Sequence, residues 1–301
     1  MARTIKNVAL AGAGGNVGAR VLSALLALDF NVTVLTRSSK SFPGSVSVKV
    51  VNFTSAESLS AAVAGQDAVI DATFSPDEEA PIRLIDAAAE NGVYRFITSD
   101  FGLDPDLPGV HDMPVFARKK ASYEAVKRHA AENRLTYTLI ACGAFLDRAL
   151  SSGFAGLNLE EKTAFLFGDG NNIVPWTTLD DVGRATARVL LCPQETANRP
   201  VYVHSVFMSQ VQLLGAAKEI LGDEGWQATQ HDMAPLLRNA LADLKAGKIS
   251  ASTAKVQIQY CLATRALAHP WERDDNSLLG LEEWDMNQVK ALIQELVPQS
   301  I

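Results

Sequence analysis

Residues 115 to 133, VFARKKASYEAVKRHAAEN, have helical composition and hold the side chains best suited to move a proton. At 100° per residue, Phe116, Tyr123, Val126 and Ala130 share one apolar stripe, and Lys119 lands inside it. Lys120 projects well to one side, and Lys127 falls near the stripe's margin. An ammonium in an apolar face is costly unless it reaches a partner, and burial lowers its pKa toward the range useful for proton transfer. The plainer alternative is a lysine that packs its stem and keeps its head in water. The same helix offers a second constellation: Tyr123 and Lys127 form Tyr-x-x-x-Lys on one face, 24 positions after Ser99, with the tyrosine as acid or base. Geometry favours Lys119. The active group belongs near the start of this helix, at the strand ends, and the helix must run back along the sheet before the strand that begins at Thr136. Lys119 leaves 17 positions for that return and Lys127 only 9. In the Lys119 register the tyrosine position is Val115, so the lysine, or a water it holds, must move the proton.

A second cluster of residues points to an anion. VALAGAGGNVGARVLSALL, near the start, is an apolar strand, a glycine turn and a helix with apolar residues at Val17, Val21, Leu25 and Leu28. Gly12, Gly15 and Gly18 have the spacing G-x-x-G-x-x-G, with Gly14 extra and Asn16 and Val17 between. A helix N-terminus presents unpaired N–H groups, and glycines let a dinucleotide pyrophosphate reach them. A tight strand-helix packing turn would use the same residues. The next strand, NVTVLTR, ends in TRSSK: Arg37 follows Gly12 by 25 positions, with Ser38 and Lys40 beside it, and no acidic residue occurs from 31 to 56. These cations suit a ribose 2′-phosphate, which favours NADPH/NADP over NAD; an ordinary solvated arginine is the alternative.

The elements that must hold these groups alternate. SVSVKVVNF reads as a third strand, SAESLSAAVAG as a helix capped by Ser55, DAVIDAT as a fourth strand and APIRLIDAAAENG as a helix. VYRFITSDFG is a fifth strand and LTYTLIACGAF, after the lysine helix, a sixth. This is an α/β doubly wound parallel sheet of Rossmann type, whose ligands bind beyond the C-terminal strand ends. Thr73, Phe74, Ser75, Ser99, Asp100, Phe101, Gly143 and Phe145 fall there, and of these Thr73, Phe74, Ser75, Ser99 and Gly143, with Lys119, are expected cofactor contacts. The loop LDPDLPGVHDMP should lie near the site as part of a lid. The expected organisation is a nucleotide domain over 1–150, rejoined by 174–206, and a smaller α+β substrate lobe from 151–173 and 207–301. WTTLDDVGRATARVLL reads as a helix capped by Thr178 or Asp180, PVYVHSV as a strand, and the chain from about 206 as mostly helical, broken at WERDDNS. Phe101, Phe145 and Trp176 are the expected substrate contacts.

Composition narrows the function further. With 301 residues, 48% of them apolar, the chain can bury a full core. A net charge of −7 without a basic stripe argues against nucleic acid as a partner. Cys142, Cys192 and Cys261 match no metal or redox spacing, so no metal site is expected and a reducing, cytoplasmic setting is the simple reading. The sequons at Asn31 and Asn52 read as incidental. No apolar run approaches a membrane span, and the apolar stretch after Arg3 and Lys6 is cut by the glycines.

AGAGGNVG, TRSSK, TSDFGLDP, PVFARKK and YTLIACGAF, in this order, together resemble the NmrA-like and isoflavone reductase-like family of atypical short-chain dehydrogenases, and the resemblance spans nearly the whole chain. DGNNIVPWTTLDDVG resembles the segment by which that family returns from its substrate lobe. The Ser99, Tyr123 and Lys127 spacing is instead that of the extended short-chain dehydrogenases. The first resemblance implies an NADPH-dependent reductase of a small phenolic or other secondary-metabolite substrate, with Lys119 matching the family's catalytic lysine, three residues after a Phe. It implies Gly12, Gly15 and Gly18 at the pyrophosphate and Arg37 at the 2′-phosphate. Asn52 departs from the family's usual Asp, and Lys120 leaves the lysine assignment open by one residue. Two alternatives stay open: a dinucleotide-holding redox sensor with a regulatory protein partner, a type the family includes, and a non-redox isomerase or rearrangement catalyst that retains the cofactor as scaffold.

Overall fold

The computed structural model describes residues 4–43, 45–74 and 77–297. Its chain begins with three parallel crossovers. β1 (Asn7–Ala11), α1 (Asn16–Ala27), β2 (Asn31–Thr36) and β3 (Ser47–Val50) come first, then α2 (Ala56–Val63) and β4 (Ala68–Asp71). α3 (Ala80–Glu90), β5 (Arg95–Ile97), a 3₁₀ turn (Pro114–Phe116), α4 (Ala117–Ala131) and β6 (Thr136–Ala141) follow. The central strands are apolar on both faces because helices cover both: α1 packs with Val8, Leu10 and Val32 on one side, α2, α3 and α4 with Ala9, Val69 and Phe96 on the other. Ser55 caps α2 as its sequence implies, accepting the Ser58 N–H at 3.2 Å.

Past β6 the chain departs from the expected single strand. β7 (Ala144–Phe145) leaves the main sheet, and α5 (Leu146–Ser151), β8 (Leu157–Asn158), β9 (Thr163–Phe167), β10 (Val174–Thr177) and α6 (Leu179–Arg188) follow. The break falls at Gly143, whose φ is +65°. A Cβ there would lie 2.0 Å from the Pro175 carbonyl oxygen, so only glycine allows β7 to turn and pair in parallel with β10. PVYVHSV is split in the same way: β11 (Arg199–Tyr202) extends the main sheet, while β12 (Val206–Met208) pairs with β10. Thr178, of the two expected caps, closes α6 by accepting the Asp181 N–H.

The main sheet has seven parallel strands in the order β11-β6-β5-β4-β1-β2-β3. Its order reverses between β4 and β1, where a crevice opens at the C-terminal strand ends. A second sheet runs β12-β10-β7. β13 (Gln227–His231), a strand absent from the sequence reading, joins β9 and β8 in a third sheet. The rest of the second half is helical: α7 (Gln210–Leu221), α8 (Met233–Lys245), α9 (Ala251–Ala263) and α10 (Met286–Leu296). These enclose a separate core of Leu150, Phe167, Trp176, Leu213 and Leu262. The hydrophilic break WERDDNS serves as a clamp: Asp275 takes two hydrogen bonds, of 2.9 and 2.7 Å, from the Arg199 guanidinium, holding the segment to β11. Among the described residues no helix is long and apolar enough to cross a membrane.

Gly143→Ala combines a left-handed backbone with a blocked Cβ. It is expected to cost about 2–3 kcal/mol of stability, read as a lower denaturant midpoint.

Candidate active site

The crevice between β1 and β4 is built by close backbone approach. Gly12 has φ +87°, and a Cβ on it would lie 2.4 Å from the Ala72 carbonyl oxygen; a Cβ on Gly18 would lie 2.0 Å from that of Gly12. The Gly15 N–H closes the turn on the Gly12 carbonyl at 2.9 Å, and Asn16, Val17 and Gly18 form the first turn of α1. That turn carries no acidic residue and Gly15 caps it without a side chain, so its amide groups face the crevice bare. The cleft there has a volume of about 380 Å³, and Gly12, Gly14, Gly15, Arg37, Ser38 and Lys40 line it. Thr73 and Phe74 form another wall. These residues fit a dinucleotide: a cradle that a Cβ would fill, and two cations at the end of β2.

The sequence reading missed eight residues of this cleft: Ala13, Thr36, Ala72 and Ala80, and four more with larger or charged side chains. Phe42 and Phe53 come from the loops after β2 and β3, and Leu84 from α3. The fourth is Asp71, the last residue of β4, buried and accepting the Thr73 N–H at 2.8 Å. Burial raises its pKa, opposed by the hydrogen bonds from Thr73. Its signal was the acidic end of DAVIDAT at a strand terminus facing the crevice.

Lys119 occupies a different hollow. Pro114 starts the 3₁₀ turn that leads into α4, Phe116 stands at the helix start, and Lys119 follows within the first turn. Its Nζ donates to the Asp100 carbonyl oxygen and lies 5.4 Å from the centre of the Phe116 ring. Gly102 makes room, since a Cβ on it would come within 2.8 Å of that nitrogen. Burial lowers the lysine's pKa from its ordinary value, and the negative charge of Asp100 opposes the shift. Nearby Cys142 is pushed up to about 12 by burial, so it stays a neutral thiol. The cavity beside Lys119 measures about 310 Å³ and is walled by Phe101, Leu103, Phe145, Phe154, Ile258 and Leu262. Gly143 lines this cavity and not the nucleotide cleft where the sequence reading put it. The Ser99 hydroxyl donates to the Thr73 carbonyl at 2.8 Å, tying the cleft wall to the segment that holds Lys119.

The rival constellation is not assembled. Tyr123 donates its hydroxyl to Asp106 Oδ1 at 3.0 Å, and its pKa is raised by burial and by that carboxylate. Lys127 sits 4.7 Å over the Tyr123 ring. Both face a polar hollow of about 280 Å³ under the 105–112 loop, away from the apolar cavity, whereas Ser99 faces Thr73. Lys120 belongs to the same hollow and pairs with Asp112 at 3.0 Å, so Lys119 is the lysine of the apolar cavity. Trp176 is a correction. Only 1% exposed, it packs in the second core and donates its indole N–H to the Met208 carbonyl at 2.9 Å, so it supports the lobe and does not line the Lys119 cavity. Ser75 lies outside the described residues.

A dinucleotide cleft beside a hollow with a partly buried lysine fits an oxidoreductase of the Rossmann class. The comparisons agree. The NAD(P)H-binding family model matches residues 12–169. The chain is 32% identical over 297 residues to oxidoreductase poxI of Penicillium oxalicum, covering 95% of this chain and 93% of that protein. Solved structures share the fold: AtPrR2 with NADP+ and (+)pinoresinol at TM-score 0.74 and 21% identity, covering 99% of this chain and 100% of that one. Isoflavone reductase follows at TM-score 0.76 and 19% identity, covering 98% and 100%. The chain belongs to the NAD(P)H-binding family and is an NAD(P)-dependent oxidoreductase within it.

Tyr123→Phe should leave NADPH-dependent turnover within about twofold, because the hydroxyl it removes serves Asp106. A loss of a hundredfold would restore the tyrosine constellation.

Proposed function

We propose that this protein reduces a small, largely apolar metabolite with NADPH, and that Lys119 is its acid/base. The observation that carries the reading is the Lys119 ammonium set in an apolar hollow, on the segment bonded to the wall of the nucleotide cleft. Arg37 and Lys40 on the cleft wall support NADPH over NADH, since they can hold a 2′-phosphate that NADH lacks.

NADPH, when bound, supplies the hydride. The chain's own residues do the rest. Gly12, Gly15 and the first turn of α1 hold the diphosphate on bare amides. Phe101, Phe145 and Ile258 hold the apolar body of the substrate and exclude water from it. Asp100, through its carbonyl, fixes the Lys119 ammonium, which gives a proton to the anionic oxygen or carbon left by reduction. The depressed lysine pKa suits that task, because a stronger ammonium acid gives up its proton more readily near neutral pH.

The sign of the pH dependence follows. A group acting as acid must be protonated, so turnover falls as pH rises through the Lys119 pKa, below the ordinary lysine value of about 10.4. Lys119→Ala is expected to lower kcat by about a hundredfold or more on a substrate found by screening phenolic ethers and unsaturated ketones, to remove that alkaline limb, and to leave NADPH affinity nearly unchanged. Unaltered kcat in that variant would end the proposal.

A further inference from the structure

The walls of the Lys119 cavity carry a charge pattern that hydride transfer to a neutral substrate does not require. The chain has 34 acidic residues and a net charge of −7, yet among the described residues no acidic side chain lines this cavity. The two charged residues that do line it are both cations, Lys119 and Arg148. Lys119 is engaged by the Asp100 carbonyl. Arg148, exposed in α5, has no hydrogen-bond, ion-pair or ring partner for its guanidinium among the described residues. Its nearest acidic neighbour in sequence is occupied elsewhere: the Asp147 carboxylate accepts the Leu179 N–H at 3.2–3.3 Å, at the start of α6, and the Arg148 backbone N–H at 2.8 Å. The hydroxyl of Ser152, the other polar residue of that wall, is turned back on the Arg148 carbonyl at 2.6 Å. Arg148 is thus a lining residue with an unpartnered guanidinium among the described residues, beside Phe145, Ala149 and Phe154.

We propose that the substrate is an amphipathic organic anion, with an apolar body of ring size in the cavity and a carboxylate or comparably acidic group held by Arg148. This rests on the reading of the Lys119 cavity as the substrate site and names the class of substrate it takes. An arginine fork binds a carboxylate in two parallel hydrogen bonds, and the apolar residues beside it take up the body of the ligand. With the acid fixed at Arg148, the opposite end of the molecule is the part presented to Lys119. Arg148 is then a specificity residue, distinct from the proton donor.

Two fluorescent probes of one ring system test this with the NADP+-saturated protein: anilinonaphthalenesulfonate, an anion, and N-phenylnaphthylamine, which lacks the sulfonate. Arg148→Gln should weaken the sulfonate by about tenfold or more and the neutral probe by less than about twofold, and Arg148→Lys should restore most of the loss. Ile258→Trp, which fills the cavity, should displace both probes. The proposal is overturned if Arg148→Gln weakens both probes alike or neither, or if Ile258→Trp leaves the sulfonate bound. Failure of the reductase reading registers separately, in the native protein, as absent NADP+ binding or as absent NADPH oxidation with every substrate screened.

Discussion

Everything in the nucleotide half depends on how closely the turn after β1 approaches its neighbours. The Ala72 carbonyl sits where a side chain on Gly12 would begin, and the Gly12 carbonyl where one on Gly18 would begin. The contacts set the distance between β1 and β4 at the point where the sheet reverses direction, and they aim the first turn of α1 into the crevice. An open helix end is an anion site only when nothing covers its amides, and this turn leaves them uncovered. Arg37 and Lys40 add their charge on the adjacent wall.

A second close approach plays the same part for the substrate side. Gly143, pressed against Pro175, lets the chain leave the main sheet at the end of β6 and found a smaller one. The turn brings Phe145 and α5 to the cavity beside Lys119, which Ile258 and Leu262 of α9 also line. The result is a largely apolar chamber next to a more polar cleft, joined at Thr73 and Ser99. In such a chamber an ammonium is held short of full solvation, which lowers its pKa without removing its hydrogen-bond partner.

How much of this was legible in sequence follows from what is local. The strand and helix alternation of the first 141 residues reads directly, because strands covered on both faces must be apolar runs and helices packed on one side must be periodic. Lys119 was visible for the same reason, as a charge within an apolar stripe, though its separation from Lys120 needed the loop that places Asp112. Trp176 was misread because a large aromatic near a site looks alike in sequence whether it faces a ligand or a core. The splitting of LTYTLIACGAF and PVYVHSV was hidden, since a tertiary contact to Pro175 decides it. β13, QATQH, is mostly exposed and lacks the alternation that marks a strand; pairing with β9 creates it. Arg148 gave no signal beyond being an arginine, because its place on a cavity that no acidic residue lines, among the described residues, is set by tertiary structure.

The central claim is that bare amides and two cations at the reversal of the sheet hold a phosphorylated dinucleotide. Calorimetric titration with NADPH and NADH, on the native protein and on Arg37→Ala/Lys40→Ala, tests it most directly. The account predicts saturable binding of one NADPH per chain, tighter than NADH by about tenfold or more, with that preference lost in the double variant. Absence of binding by either nucleotide, or equal affinities in the native protein, would contradict it.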